Sequence, residues 1–374
     1  MKGMRKLSLA LFLALAALLV GCERRPLESP YRPTIRVVLK CVWTVKTYPA
    51  GEKPSGVTMY FFRDGAYYNS ITTANVDSCE VQLPEGHYRM YMISQSPEEY
   101  WKMEFDHMNQ FESASTTLRR TDVSWATATR TDDSEMVVEN PEVMCAGVSD
   151  EFDITTEMTE DYQYYYTNLK KVRASNSKTR GDYDSDEAYF EDKVEYYTLR
   201  IPVYPKNIVS QLWVSIYAGN ADVLKSVRAT MSGMARTFEL TQGTTGSDKA
   251  IQIINQWTLT MDDPETRVGH VDGIITTFGL PNGEKPSAVR DSTLNVSTLL
   301  VDNSTVADYV FSVGDKIRQL PPNEGYRNLY RVVFGDAKNP TIVLPDVKPP
   351  SSGGGGFTGT VEDWEDETNV DIIL

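Results

Sequence analysis

The sequence predicts an all-β protein made of two tandem antiparallel β-sandwiches, and three observations carry that expectation. Apolar and polar residues alternate with a period of two from Thr34 onward, the pattern of half-buried strands. Turn signals interrupt the alternation every ~8–15 residues, with no amphipathic helix pattern of useful length between them. The chain has 374 residues, whereas a single core seldom grows past ~250, so two domains are expected.

Residues 1–21 are expected to be a signal peptide. Lys2, Arg5 and Lys6 make a positive start, and Leu7–Val20 is an uninterrupted apolar or small stretch of 14 residues. As a helix it would span about 21 Å, short of the ~30 Å hydrocarbon core, which suits a signal and not a stop-transfer segment. Leu19-Val20-Gly21-Cys22 has the form of a bacterial lipobox, which makes Cys22 the expected lipidation site. Removing residues 1–21 leaves 34 bases against 52 acids, a net charge of −18. Acyl chains at ~0.8 kcal/mol per buried CH₂ would hold such an acidic body on a membrane. Residues 22–33, with Pro26, Pro30 and Pro33 and no apolar periodicity, are expected to be the lipidated tether.

The first sandwich is expected over residues 34–195. Ile35, Val37, Leu39, Cys41 and Trp43 alternate, as do Val57, Met59 and Phe61, and Cys79, Val81 and Leu83. Pro84 and Gly86 mark a turn, after which Tyr88, Met90 and Met92 resume the pattern. Residues 97–130 read as a loop or short helix, opened by Pro97 and running through Phe111. Strand signals return at Met136–Val138 and Val143–Val148. The acidic, Tyr-rich stretch 149–195 reads as an edge strand near Tyr162–Val172 and an exposed loop over Arg173–Asp192. Asp182, Asp184 and Asp186 have the opening spacing of a calcium loop, but Glu187 replaces the turn glycine and Lys193 the bidentate acid. Arg180-Gly181-Asp182 is too short to carry an argument.

The second sandwich is expected over 196–348. Its strand candidates are Tyr196–Val203, Ser210–Ala218, Val227–Met231, Ala250–Thr260, Gly269–Phe278, Ser292–Val301, Tyr309–Val313, Leu329–Phe334 and Thr341–Leu344, with a hairpin loop at Asp302-Asn303-Ser304. Residues 349–374 then form a Gly-rich hinge and a terminal strand. Phe357, Val361, Trp364, Val370, Ile372 and Leu374 would let that strand fold back or be donated to a neighbour's edge.

Composition excludes several functions. A net charge of −15 and no basic run after the first 25 residues argue against nucleic acid. Three histidines, His87, His107 and His270, leave little material for a metal site or a His-based general base, so no metal, cofactor or catalytic residue is expected. No Gly-x-Ser-x-Gly, His-Glu-x-x-His or phosphate-binding glycine loop occurs. With Cys22 acylated, Cys41, Cys79 and Cys145 remain; at least one must be a free thiol. Cys41 and Cys79 fall in phase with core residues, as buried inert groups would.

The lipobox, the two sandwich-sized blocks, the Leu83-Pro84-Glu85-Gly86-His87-Tyr88 turn and the end Trp364-Glu365-Asp366 with Val370-Asp371-Ile372 resemble the fimbrillin-like lipoproteins of Bacteroidales. Ser232-Gly233-Met234-Ala235 and Thr276-Thr277-Phe278-Gly279-Leu280 resemble an uncharacterised branch of them. The resemblance implies two transthyretin-like sandwiches and a non-enzymatic role at the outer membrane, cell surface or pilus, as an anchor, accessory subunit or adhesin. It also implies partners: the membrane through the lipid, other pilus subunits by strand addition, and surface receptors or glycans. Stalk subunits of this family are cut after an Arg in the first domain; Arg25, Arg32 and Arg36 are available here. Only Arg36 lies in the first expected strand, which favours a retained-lipid subunit over a polymerising one. The alternative is a glycan-binding lipoprotein beside an outer-membrane nutrient transporter, suggested by Trp101 and Tyr164–Tyr166.

Overall fold

The structure, a computed structural model, describes residues 33–44, 53–121, 135–174, 186–284, 292–321, 325–350 and 371–372. They fall into two compact units. The smaller comprises Thr155–Tyr197, Gln82–Glu85 and the chain up to Ile35; the rest forms the larger.

The smaller unit corrects the sequence reading of 149–195. In place of an edge strand and a loop it holds helix α1 (Thr156–Ala174) and helix α2 (Asp186–Tyr196). Thr155 caps α1, its hydroxyl accepting from the Met158 N–H at 3.3 Å, and Lys171 and Arg173 occupy the last turn, where the helix dipole favours cations. The inward stripe is Tyr162, Tyr165, Tyr166 and Leu169, spaced i, i+3, i+4, i+7 as a helix requires. Tyr165 meets Tyr189, Phe190 and Tyr197 from α2 and its end. Arg173 ties the helices further, donating to Glu187 at 3.0 Å and pairing with Glu191.

Strands make up most of the other regular structure among the described residues, in sequence order β1 (Thr34–Cys41), β2 (Val57–Arg63), β3 (Ala66–Thr73), β4 (Ser78–Pro84), β5 (Gly86–Ser94), β6 (Met103–Asp106), β7 (Ser115–Leu118), β8 (Met136–Val138), β9 (Cys145–Val148), β10 (Phe152–Ile154), β11 (Leu199–Val203) and β12 (Lys206–Asn207). There follow β13 (Ser210–Gly219), β14 (Leu224–Ala235), β15 (Thr237–Glu239), β16 (Thr244–Thr245), β17 (Lys249–Ile254), β18 (Trp257–Asp263), β19 (Val268–Thr277), β20 (Thr293–Leu300), β21 (Val306–Ser312), β22 (Arg318–Leu320), β23 (Leu329–Phe334), β24 (Ile342–Val343) and β25 (Asp371–Ile372). The expected all-β class with antiparallel sandwiches is what the chain adopts, the helical pair apart.

Near the N-terminus, β1 is the middle strand of a three-stranded sheet ordered β11-β1-β4, and a second sheet runs β12-β9-β5-β2-β3 with β10 on β5. β2 is buried on both faces; Tyr60 and Phe62 join Tyr91, Ile93, Met103, Leu118 and Phe238 in one core cluster. A third sheet, β16-β15-β7-β6, contributes to that cluster. The segment expected to be a loop or short helix therefore holds a hairpin, β6–β7, preceded by a 3₁₀ turn at Pro97–Glu99 and with another, Phe111–Ser113, in its connection.

Nearer the C-terminus, the sheet β22-β23-β13-β19-β18-β25, with β24 on β13, packs against β21-β20-β14-β17-β8. Leu212, Val214 and Ile216 of the first sheet share a core with Ala229, Met231, Leu294 and Val296 of the second. Each such aliphatic side chain contributes roughly 1.5–3 kcal/mol on full burial, against about 0–1 for an exposed ion pair, so the alternation sets the architecture. Ala250–Thr260, expected as one strand, breaks at Asn255-Gln256. β17 ends in one sheet and β18 begins in the other, the Trp257 indole N–H donating to the Ile254 carbonyl at 2.9 Å across the corner.

Two short sequence motifs meet in this region. The Ala235 N–H donates to the Gly279 carbonyl at 2.9 Å, and Phe278 packs on Phe238. Gly233 sits at the β14 bulge with φ +77°; a Cβ there would overlap the Ser292 hydroxyl and lie 2.9 Å from Ser292 Cβ. Gly243 also has positive φ, +67°, but nothing within 4 Å of an added Cβ. Urea unfolding should thus show Gly233→Ala losing roughly 2–3 kcal/mol and Gly243→Ala about 1 kcal/mol. Adding Ser292→Gly should recover part of the first loss. Equal losses at the two glycines would mean the Ser292 overlap costs nothing.

Candidate functional site

The resemblance directs attention to strand edges and to the first strand. β1 alternates, with Ile35, Val37, Leu39 and Cys41 buried. Arg36 lies between them on the outer face, its Nε donating to Glu80 Oε2 at 3.1 Å; this hydrogen bond holds the Glu80 carboxyl below the usual range. β1 runs parallel to β11 in the register Val37↔Leu199 through Cys41↔Val203, so every β1 residue paired with β11 follows Arg36. Cys22, Arg25 and Arg32 lie outside the described residues.

Terminal strands leave ladder groups open to another chain. β22 is a three-residue edge carrying Arg318, a blunted end. β21 is longer, with Val306 and Val310 exposed at 53% and 63%. The opposite end of the β13 sheet receives the C-terminal segment: Asp371 lies antiparallel to Thr258 and Ile372 to Trp257 on β18. Of the residues expected in the terminal strand, only Ile372 falls within a described element; Phe357, Val361, Trp364, Val370 and Leu374 lie outside the described residues.

The aromatic residues suggested for sugar stacking divide. Trp101 is 77% exposed and Tyr164 62%, while Tyr165 and Tyr166 are partly buried in ring contacts that build the helical unit. Asp186, the last member of the suspected calcium spacing, opens α2; Asp182 and Asp184 lie outside the described residues, as does the Arg180-Gly181-Asp182 tripeptide. Among the described residues no group of three His, Cys, Asp or Glu is placed to hold a metal ion.

Two histidines sit in carboxylate clusters that the sequence did not reveal, because their partners come from neighbouring strands. His270 Nδ1 is 2.7 Å from Asp262 and Nε2 3.4 Å from Asp272, while Ser215 donates to Asp272 at 2.5 Å. The serine addresses a carboxylate and not the imidazole, so the arrangement is not a Ser–His pair. His87 Nδ1 is 2.8 Å from Asp153 and Nε2 3.4 Å from Glu151. The Asp153 hydrogen bond foremost raises the His87 pKa above its ordinary value.

A raised folded-state pKa means the protonated form is favoured, so this stabilisation is complete below pH ~6.5 and fades as pH rises through the folded value. Asp153→Asn should move the His87 titration, followed by NMR, back down; an unmoved titration would assign the shift elsewhere. Cys41, Cys79 and Cys145 are all buried and none is in a disulfide. Burial pushes the Cys41 thiol up to about 12 and raises Cys79 and Cys145 as well. The mature chain without Cys22 should therefore give no rapid reaction with a disulfide reagent when native, and three equivalents once unfolded in guanidinium. Fast native labelling at any of the three would contradict their burial.

Comparison with solved structures places this arrangement of sheets. A "putative adhesin" from Bacteroides ovatus superposes with a TM-score of 0.51 at 12% identity, covering 88% of this chain and 98% of that one. The fimbrial anchor protein Mfa2 from Porphyromonas gingivalis gives a TM-score of 0.43 at 10% identity, over 80% of this chain and 90% of that one. At these identities the first likeness is one of fold. No curated protein matches the sequence. The family model described as a domain of unknown function, DUF5119, matches residues 21–255, from the residue before Cys22 to the β17–β18 corner. With more than half of its length matched, the chain belongs to the DUF5119 family.

Proposed function

We propose that the chain is a non-enzymatic surface lipoprotein, held at the outer membrane by an acylated Cys22 and acting as a pilus anchor, accessory subunit or adhesin. The observation that carries this reading is the fold shared with the Bacteroides ovatus protein, which is described as an adhesin. The lipobox before Cys22 supports the anchor. Among the described residues no helix is long and apolar enough to cross a membrane. The non-enzymatic part is supported by the Ser215–Asp272–His270 geometry, in which the imidazole is not set on the serine hydroxyl.

The register of β1 favours a retained lipid. A cut after Arg25 or Arg32 would leave β1 intact, and one after Arg36 would leave every residue paired with β11 in place. The C-terminal segment is read as an edge-pairing strand, serving its own β18 or a neighbour's edge.

In the native host, radiolabelled palmitate should enter the wild-type chain and not Cys22→Ala, and the variant should move from the membrane to the soluble fraction. A variant that stays membrane-bound would remove the lipid anchor from this reading. Co-purification of pilus subunits with the wild type, lost on deletion of Gly353–Leu374, would assign the pilus role; unchanged co-purification would exclude a donated strand.

A further inference from the structure

The corner at Asn255-Gln256 opens one wall of a groove of about 980 Å³, near the upper end of the ~300–1,000 Å³ range of ligand sites. Its other walls come from the end of β8, from β19 and from the loop before β6. We propose that this groove binds a neutral oligosaccharide, independently of whether the chain acts in a pilus.

The chemistry of the walls points to that class. Asn255 and Gln256 are exposed, and their carboxamides make no side-chain hydrogen bond among the described residues. A carboxamide both donates and accepts, which matches neighbouring sugar hydroxyls, each also a donor and an acceptor. Ile274 is 43% exposed and stands directly across from Trp213 on β13, an apolar flank suited to the C–H face of a pyranose ring.

Behind these groups the floor is fixed. Asn140 donates to the Ile253 carbonyl at 2.9 Å, while Gln252, fully buried, donates to Asn140 Oδ1 at 3.0 Å and to the Thr276 carbonyl at 3.1 Å. Gln252 Oε1 has no donor among the described residues.

Charge selects against polyanions. Lys102, Glu139 and Arg228 are the charged residues at the groove, and Arg228 makes a further interaction within the protein. The net charge of −15 repels sulfated or polysialylated chains at long range.

The test is an array and calorimetric titration of the mature chain against neutral hexasaccharides (gluco-, manno-, galacto- and xylo-configured), with sialylated and sulfated glycans and unrelated peptides alongside. The expected result is binding of at least one neutral hexasaccharide, weakened roughly tenfold or more in Asn255→Ala/Gln256→Ala with an unchanged thermal melt. Trp101→Ala/Tyr164→Ala should bind as the wild type does. The proposal is overturned by no neutral binding at about 1 mM, by binding confined to acidic glycans or peptides, or by neutral binding lost with Trp101 and Tyr164 instead of Asn255 and Gln256.

Discussion

A strand inside a sheet needs a hydrogen-bonded neighbour on each side, and here that requirement binds sequence-distant parts of the chain together. β8 lies parallel on β17, β15 pairs with β7, β12 with β9, and β1 with β11. Each pairing spans the length of chain that separates the two expected sandwiches. Removing any of these partners would leave backbone groups unpaired next to a core, at about 1–3 kcal/mol for each group not reached by water. The bonds between Ala235 and Gly279 and between Asn140 and Ile253 reinforce the same junction. The groove lies at this junction because β17 has to leave one sheet before β18 can enter the other.

Alternation made most of the strands legible. Ile35, Val37, Leu39 and Cys41, or Leu212, Val214 and Ile216, are buried as the period of two requires. It failed where burial has another cause. In α1 the helical stripe is present as Tyr162, Tyr165, Tyr166 and Leu169, but aromatic rings suggest strand when read by residue type. β3 was missed because as a sheet-end strand it is mostly exposed and does not alternate. The clue was Asp64-Gly65, whose φ values of +52° and +81° suit a two-residue hairpin turn. The β17–β18 corner carries no glycine or proline, so nothing local announced it. The His87 and His270 clusters were unreadable in principle, since Asp153 and Asp262 reach them across strands.

The acidic excess is distributed as solvated surface. Glu157, Glu160, Asp186, Glu191, Asp192 and Glu195 are exposed on the helical pair, and the ion pairs of Arg173 with Glu187 and of Arg267 with Asp222 and Asp346 are open to water as well. Such pairs contribute little to stability, so the charge acts on encounter and solubility.

Where the first strand sits decides what proteolysis could do. If β1 left the sheet β11-β1-β4, neither remaining strand would have a partner in it, and a vacancy one strand wide would open. None of the three candidate arginines produces that vacancy. Arg25 and Arg32 precede β1 altogether, and Arg36 is followed by Val37, Leu39 and Cys41, whose buried side chains and β11 register would survive the cut. Cleavage at any of them would therefore leave the β11 register of Val37–Cys41 unbroken. A cut that removed β1 from this sheet would have to fall beyond Cys41, after all three.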